Sequence, residues 1–226
     1  MVSAIVLAAG TSSRMQSPKQ LLLYQGRPLL RHVIETLSRS KVEKILVVLG
    51  HRHTEVAATL EGLPVDLVYN PNYASGQSSS VKAGLKALVG SESLVDLKGS
   101  VGLKDLGGLI SPKVAETSCK GVLFVLGDQP LLKIETINLL IDNFYAKGGI
   151  VAPYYHGIRG NPVLFDLSYL TEFEVLQGDI GAREIIYRHP DDLHKIEVTD
   201  PGILLDIDTP TDFALLTTKD QMLKGE

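Results

Sequence analysis

Short apolar runs rich in β-branched residues alternate along this chain with segments whose apolar residues recur at helical spacing. The runs predict strands at residues 2–7, 44–49, 65–69, 121–126, 149–152, 162–165 and 193–198. The amphipathic segments predict helices at 28–39, 54–60, 78–88, 134–145, 167–173 and 182–187, with a last helix from 210. This alternation predicts an α/β fold, in which a mostly parallel, Rossmann-like sheet carries helices on both faces. We expect one domain over residues 1–226.

The composition excludes several classes of protein. A net charge of −4 argues against binding nucleic acid, which requires a basic surface. Cys119 is the only cysteine, so an intrachain disulfide is impossible. No run approaches the roughly 20 apolar residues that span a bilayer, and the first residues lack a basic segment before a long apolar one. We therefore expect a cytoplasmic protein with neither nucleic acid nor membrane as partner.

Residues 90–120 differ from the rest of the chain. They contain scattered glycines and charges and show little sustained periodicity. A structureless loop of this length is uncommon inside a compact domain. We predict a flexible insertion, which either covers the functional site or has no role.

The loop after the first strand is the strongest candidate for a functional site. The strand ends in Leu7-Ala8-Ala9-Gly10, and Ser12, Arg14 and Lys19 follow. Small residues let backbone N–H groups approach an anion closely, and the two cations would add positive charge at the same point. The loop matches neither of the two common glycine-rich phosphate-binding patterns. It is either a triphosphate cradle at the carboxyl end of a strand or a glycine turn with exposed cations.

Two further segments follow strands or begin helices. Gly76-Gln77-Ser78-Ser79-Ser80 places hydroxyl groups and free backbone N–H groups at a helix start, where they either bind a base or ribose or simply cap the helix. Asp128 ends an apolar strand before Gln129 and Pro130, as a ligand of a hard cation would, or as part of a turn.

The last candidate segments lie in the C-terminal half. Asp206 and Asp208 share one side of an extended segment, and Asp208 is a candidate second metal ligand. Thr209 and Asp212 form a box-like helix cap. Arg159 and Arg183 each lie near glycines at the start of an element, where they either bind an anionic acceptor or are solvated surface charges.

Taken together, these segments resemble the MobA-like nucleotidyltransferases, with the nucleotide-diphospho-sugar transferase type of fold. The resemblance rests on Leu7-Ala8-Ala9-Gly10-x-Ser12-x-Arg14-Met15 with Lys19, Gly76 to Val81, Gly127-Asp128-Gln129-Pro130, Arg159-Gly160-Asn161-Pro162, Gly178-Asp179-x-Gly181-Ala182-Arg183 and Asp206-Ile207-Asp208-Thr209-Pro210. Together and in this order, these six motifs resemble those of the molybdenum cofactor cytidylyltransferase branch of the family. The likeness covers nearly the whole chain except about residues 90–120.

The resemblance implies a role for each motif. It implies that the enzyme transfers CMP from CTP to the terminal phosphate of molybdopterin, uses Mg²⁺, releases pyrophosphate and passes the product to a receiving molybdoenzyme. Catalytic roles fall to Arg14, Lys19 and Asp128, and the metal ligands are Asp128 and Asp208. The nucleotide would contact Leu7, Ala8, Ala9, Gly10, Ser12, Arg14, Lys19, Gly76, Ser79 and Ser80. The acceptor would contact Gln129, Arg159, Asn161, Asp179, Gly181 and Arg183.

Two departures from the pattern leave alternatives open. Gln16 stands where the family usually has glycine, and the insertion at 90–120 is atypical. Ala9 stands where guanylyl-transferring relatives tend to carry a second glycine, which favours CTP over GTP. The alternatives are guanylyl transfer to the same cofactor, cytidylyl transfer to a sugar or polyol phosphate, and a nucleotide-binding chaperone that does no chemistry.

Overall fold

The computed structural model describes residues 1–15, 18–90 and 119–224, with side chains through 218. Its strands are β1 (Val2–Ala8), β2 (Leu23–Tyr24), β3 (Arg27–Pro28), β4 (Lys44–Leu49), β5 (Asp66–Tyr69), β6 (Gly121–Leu126), β7 (Ile150–Tyr155), β8 (Ile158–Arg159), β9 (Val163–Asp166) and β10 (Leu193–Glu197). Its α-helices are α1 (Leu29–Ser38), α2 (His53–Ala58), α3 (Gln77–Val89), α4 (Ile134–Lys147), α5 (Leu170–Val175), α6 (Arg183–Arg188) and α7 (Pro210–Lys224). Among these helices, none is long and apolar enough to cross a membrane.

The predicted sheet is confirmed. The strands lie in the order β10-β7-β9-β6-β1-β4-β5, and β8 pairs with β7. The pairs β1–β4, β1–β6, β4–β5 and β7–β10 are parallel. Strand β9 runs antiparallel to both of its neighbours, β6 and β7. The short strand β8 also runs antiparallel to β7. The sheet is therefore mostly parallel with two reversed strands, as an α/β fold allows.

Helices cover both faces of the sheet and create two cores. On one face, α1, α2 and α4 bury side chains against the inward residues of β1, β4 and β6. On the other face, α3, α5 and α6 pack on Ile5, Phe124 and Phe165. The central strands are almost wholly apolar, with Ser3 and Lys44 as the exceptions in β1 and β4, because both of their faces are covered. These cores hold the carboxyl ends of the central strands in fixed positions.

The helix and strand predictions hold with small shifts at the ends. The segment predicted as one helix at 167–173 divides into a 3₁₀ turn, Leu167–Tyr169, and α5. The short hairpins that involve β2, β3 and β8 were not predicted, because two-residue strands carry too little pattern. The predicted cap of the last helix is present: the Asp212 carboxylate accepts the Thr209 N–H at 2.7 Å. Most of the segment at 90–120, residues 91–118, lies outside the described residues, so the insertion stays a prediction.

Candidate active site

The candidate site lies where the strand order reverses. Chain order runs outwards from β1 to β4 and β5, and β6 then pairs on the opposite side of β1. A crevice forms outside the carboxyl ends of parallel strands at such a point, and ligands of open α/β sheets bind there. The loops that follow β1 and β6 both emerge into this crevice. They carry the first and third motifs of the sequence.

A buried glutamine gives the loop after β1 its shape. Gln20 donates through Nε2 to the carbonyl oxygens of Ala8, at 3.0 Å, and Gly10, at 3.3 Å. Ser12, whose φ is 53°, accepts the backbone N–H of Lys19 at 3.0 Å through its hydroxyl oxygen. The predicted nucleotide-binding hydroxyl of Ser12 therefore closes the loop. Gly10 is exposed, and a Cβ there would meet nothing within 4 Å, so the space above the loop is open.

Two cations and two carboxylates meet at the mouth of the crevice. The Lys19 ammonium contacts the Asp128 carboxylate and lies 2.7 Å from Oδ1 of Asp208. The Arg14 guanidinium lies 3.0 Å from Oδ2 of Asp208. Burial alone would lower the pKa of Lys19, but the charges and hydrogen bonds of the two carboxylates outweigh it and raise the pKa. Hydrogen bonding by Lys19, with help from Arg14, holds the pKa of Asp208 below its usual value.

These four residues come from distant parts of the chain, and the structure brings them together as predicted. Asp128 follows β6, Arg14 and Lys19 follow β1, and Asp208 precedes α7. A backbone hydrogen bond from Ile207 to the Asp128 carbonyl, at 3.1 Å, joins the two acidic segments. Oδ1 of Asp128 is buried and has no hydrogen-bond partner, so a ligand for a cation is left over. The cluster therefore pairs two cations with two carboxylates.

Gln129 is buried beside the charged cluster and bonds to the segment before α7. Its side chain is fully buried, and Nε2 donates to the Ile203 carbonyl at 3.0 Å and to Oδ1 of Asp206 at 2.6 Å. It does not line the cavity that the other five predicted acceptor residues line, and its assignment as an acceptor contact stays a prediction. The side chain turns inward, towards the backbone before α7. Gln129 thus connects the segment after β6 to Asp206.

Asp206 shares the acidic environment. Loss of hydration, followed by the nearby charge of Asp128, raises the pKa of Asp206 to about 6, despite the hydrogen bond from Gln129. The carboxyl group of Asp206 therefore reaches the midpoint of its titration near pH 6. Its position on the cavity wall makes the charge of that wall sensitive to pH.

The serines at the start of α3 are held by hydrogen bonds within the protein. Asn70 donates to the hydroxyls of Ser79 and Ser80 at 2.8 and 3.0 Å, and Ser80 is buried. Ser79 in turn donates to the Gly76 carbonyl at 2.8 Å. No serine side chain caps the helix. Simple capping was thus the wrong alternative for these hydroxyls, and their assignment to the nucleotide stays a prediction.

A neighbouring loop occupies the first N–H groups of α3. The Ser78 N–H donates to the Gly178 carbonyl at 3.1 Å, and the Gln77 N–H donates to Oδ1 of Asp179 at 3.3 Å. A Cβ at Gly76 would stand 2.3 Å from the Gly178 carbonyl carbon. The free N–H groups expected for a base or ribose are therefore taken in part by the fifth motif. Glycine at 76 is what lets the two loops touch.

A cavity of about 440 Å³ opens beside the cluster. Its apolar floor includes Leu7, Val81, Phe124 and Val163, and Asp206 contributes to its polar wall. Five of the six predicted acceptor residues line it: Arg159, Asn161, Asp179, Gly181 and Arg183.

Tyr187 is a cavity residue that the sequence did not reveal. The Arg159 guanidinium lies 5.9 Å from the centre of its ring, within the range of a cation–π contact. Tyr187 is 69% exposed, so its ring forms an open flank of the cavity. The sequence also did not reveal the structural roles of Gln20, which holds the loop after β1, and Asn70, which bonds the serines of α3. Only Gln20 carried a signal, since it follows Lys19 within the first motif.

Within the described residues, no group of three or more His, Cys, Asp or Glu side chains is placed to hold a metal by itself. Asp128 and Asp208 nevertheless fit a Mg²⁺ ion that arrives with a nucleotide. Such ions are held by one or two carboxylates, with substrate phosphates and water completing the shell. The unpartnered Oδ1 of Asp128 is a free ligand of the required kind.

The family is decided by a match that spans most of the chain. Residues 4–193 match the model of the MobA-like NTP transferase domain. The chain belongs to this family. The predicted class of enzyme, a nucleotidyltransferase, is confirmed at this level, as is the predicted fold.

Two relatives and one solved structure are similar to nearly the whole chain, and the two relatives have different names. The chain is 25% identical over 221 residues to the molybdenum cofactor cytidylyltransferase of Escherichia coli, covering 97% of this chain and 96% of the relative. It is 26% identical over 217 residues to the nicotine blue oxidoreductase of Paenarthrobacter nicotinovorans, covering 92% of each. A crystal structure from Mycobacterium sp. strain JC1 superposes with a TM-score of 0.75 at 26% identity and covers 98% of each chain.

Proposed function

We propose that this MobA-like enzyme transfers CMP from CTP to the terminal phosphate of molybdopterin and releases pyrophosphate. The observation that carries the proposal is the cluster of Lys19, Arg14, Asp128 and Asp208 beside a cavity with two arginines. The cluster has the charges needed to hold a triphosphate and a cation. The cavity has the size of a small-molecule site.

The chemistry needs positioning and charge neutralisation more than a strong base. A phosphate oxygen of the acceptor forms a bond to the α-phosphorus of CTP while the bond from that phosphorus to the β-phosphate oxygen breaks. The attacking phosphate is already anionic at neutral pH, so no proton has to be removed by a strong base. Lys19 and Arg14 would bind the phosphates of CTP and stabilise the charge that develops on the leaving pyrophosphate.

Asp128 and Asp208 would hold Mg²⁺, which supplies neutralisation of phosphate charge and orientation of the phosphates. The unpartnered oxygen of Asp128 supports this assignment. A solved Mycobacterium tuberculosis protein of the same fold, 23% identical with a TM-score of 0.68 and covering 96% of this chain and 97% of its own, is described as a complex with manganese.

The cavity suits an anionic, flat acceptor such as a pterin. Arg159 and Arg183 provide positive charge at its wall, and Phe124 and the exposed ring of Tyr187 provide apolar surface. A flat ring system can stack on such surface, while a phosphate group is attracted to the guanidinium groups. The name of the Escherichia coli relative supports molybdopterin as this acceptor, and a molybdoenzyme as the recipient of the product follows from the same proposal.

Pyrophosphate release tests the proposal. Purified protein is incubated with Mg²⁺, molybdopterin and either CTP, GTP or ATP, and we expect release with CTP. Turnover with GTP alone would reassign the base, and turnover only with a sugar or polyol phosphate would reassign the acceptor. Nucleotide binding without pyrophosphate release would support the nucleotide-binding chaperone. Inactivity with every nucleotide and acceptor would favour an activity like that named for the oxidoreductase relative over nucleotidyl transfer.

Lys19→Ala separates the proposed phosphate contact from general effects on the fold. Loss of one preorganised cation at a phosphoryl group is expected to lower kcat by about 10²–10³-fold. Lys41→Ala removes an exposed lysine that pairs with Asp142, far from the cluster, and should leave turnover unchanged. Near-normal turnover of Lys19→Ala, with the protein folded, would contradict the role of Lys19.

A further inference from the structure

The Lys19 ammonium occupies the space that a divalent cation would need. It contacts one oxygen of Asp128 and one of Asp208, the two carboxylates proposed to hold Mg²⁺. Its side chain is only 18% exposed, so the contact is well shielded from solvent. An ammonium group and a divalent cation on the same two carboxylates repel each other strongly at that distance, so the two compete for the site.

Arg14 does not occupy this space in the same way. It contacts Asp208 alone, and its side chain is 68% exposed, so water screens the pair. Of the two cations in the loop after β1, Lys19 alone bridges both carboxylates. The second oxygen of Asp128 is buried and has no hydrogen-bond partner, although the Lys19 ammonium lies on the other oxygen of the same carboxylate.

We propose that Lys19 is a competitor of the metal as well as a ligand of phosphate. In the nucleotide-free protein its ammonium holds Asp128 and Asp208 together and keeps free divalent cations out. The triphosphate offers the ammonium a new anionic partner, so the carboxylates become available when metal and nucleotide arrive together. This inference rests on the proposed function, because it takes Asp128 and Asp208 as the metal ligands.

The proposal implies that the affinity for a divalent cation depends on whether a nucleotide is bound. Wild-type protein should bind divalent cation weakly by itself and more tightly once a triphosphate is present. A variant without the ammonium should bind the cation tightly without nucleotide, although it would have lost a phosphate contact. Removal of Lys19 therefore acts in opposite directions on metal and on nucleotide, which a phosphate-binding role alone would not produce.

Mn²⁺ binding, measured by electron paramagnetic resonance at constant pH and ionic strength, tests this without any turnover. Lys19→Gln is expected to raise the affinity for Mn²⁺ in the absence of nucleotide by at least about tenfold. The matched control Lys41→Gln, which frees the exposed carboxylate of Asp142, should leave the affinity unchanged. Addition of Asp208→Asn to the Lys19→Gln background should reverse the gain, since it removes one of the two ligands.

Equal affinities of wild type and Lys19→Gln for Mn²⁺, whether both are weak or both are tight, would overturn the inference. If Lys19→Gln does not fold, the wild type still decides: Mn²⁺ affinity that is the same with and without a non-hydrolysable CTP analogue would contradict it. Pyrophosphate release by the wild type decides the proposed function separately. Competition by Lys19 can thus fail while the transferase assignment stands.

Discussion

Gly76→Ala would test whether the contact between the start of α3 and the loop at 178–179 holds the cavity wall in place. Gly76 has φ 107° and ψ 171°, a region of backbone space that is essentially limited to glycine. An alanine Cβ would stand 2.3 Å from the Gly178 carbonyl carbon and 2.7 Å from the Asp179 nitrogen. Both obstacles are backbone atoms, so no side-chain rotation can relieve them.

The expected loss of stability follows from two contributions. Backbone strain at Gly76 costs about 1–3 kcal/mol. Separation of the two loops would break the hydrogen bond from Ser78 to Gly178, worth about 1 kcal/mol. The exposed bond to Asp179 adds little. We therefore expect a total of about 3 kcal/mol, which lowers Tm by about 6–12 °C in a chain of this length.

Gly62→Ala is the matched control for Gly76→Ala. Gly62 also has a positive φ, 79°, but a Cβ there would meet nothing within 4 Å. This substitution carries backbone strain without a collision and should cost about 1–2 kcal/mol. Urea unfolding of both variants and the wild type gives the comparison. A Gly76→Ala variant no less stable than Gly62→Ala would refute the reasoning, because the contact between the loops would then contribute nothing.

Two further predictions concern acidic residues with different tasks. Asp200 is 2% exposed and joins the start of α4 to the segment before α7, because it accepts hydrogen bonds from the backbone of Lys133 and Gly202 and from the hydroxyl of Thr136. In urea unfolding, Asp200→Ala should lower the free energy of unfolding by about 2–4 kcal/mol. The folded variant should keep its nucleotide preference, and an altered preference would contradict a purely structural role. Asp208 has a lowered pKa, so its contribution to stability is present above the unfolded pKa near 3.8 and is lost as the pH falls through the folded pKa. In a plot of unfolding free energy against pH, Asp208→Asn should therefore reduce the fall in stability below about pH 4. An unchanged fall would contradict the pairing of Asp208 with Lys19.

The sequence predicted the fold well because its central strands are unambiguous. The runs at 44–49 and 121–126 have the same bounds in the structure, since apolar β-branched residues covered on both faces have no competing pattern. Which residues converge at the carboxyl edge also followed from the alternation of strands and helices. Arg14, Lys19 and Asp128 meet there because β1 and β6 are parallel and end at one edge. Asp208 joins them through the backbone hydrogen bond from Ile207 to Asp128.

The direction of individual side chains could not be predicted from the sequence. Gln129 and Asp128 are neighbours at a strand end, yet one side chain is fully buried and turned inward while the other reaches Lys19. Likewise, nothing in the run of serines shows that Asn70 would take up two of the hydroxyls. Such choices depend on contacts between segments far apart in the chain, and a local pattern carries no information about them.

The inward turn of Gln129 has a consequence for how the two halves of the site communicate. Its amide donates to Asp206, which lines the cavity, and its own backbone follows Asp128 of the charged cluster. Gln129 therefore lies between the charged cluster and the cavity wall. The nearby charge of Asp128 already contributes to the raised pKa of Asp206, so the two carboxylates are also coupled electrostatically. The halves that hold nucleotide and acceptor in the proposed function are thus joined by the Gln129 bond to Asp206 and by the backbone bond from Ile207 to Asp128. The charge of Asp128 in the cluster therefore affects the charge of the wall against which an anionic acceptor would lie.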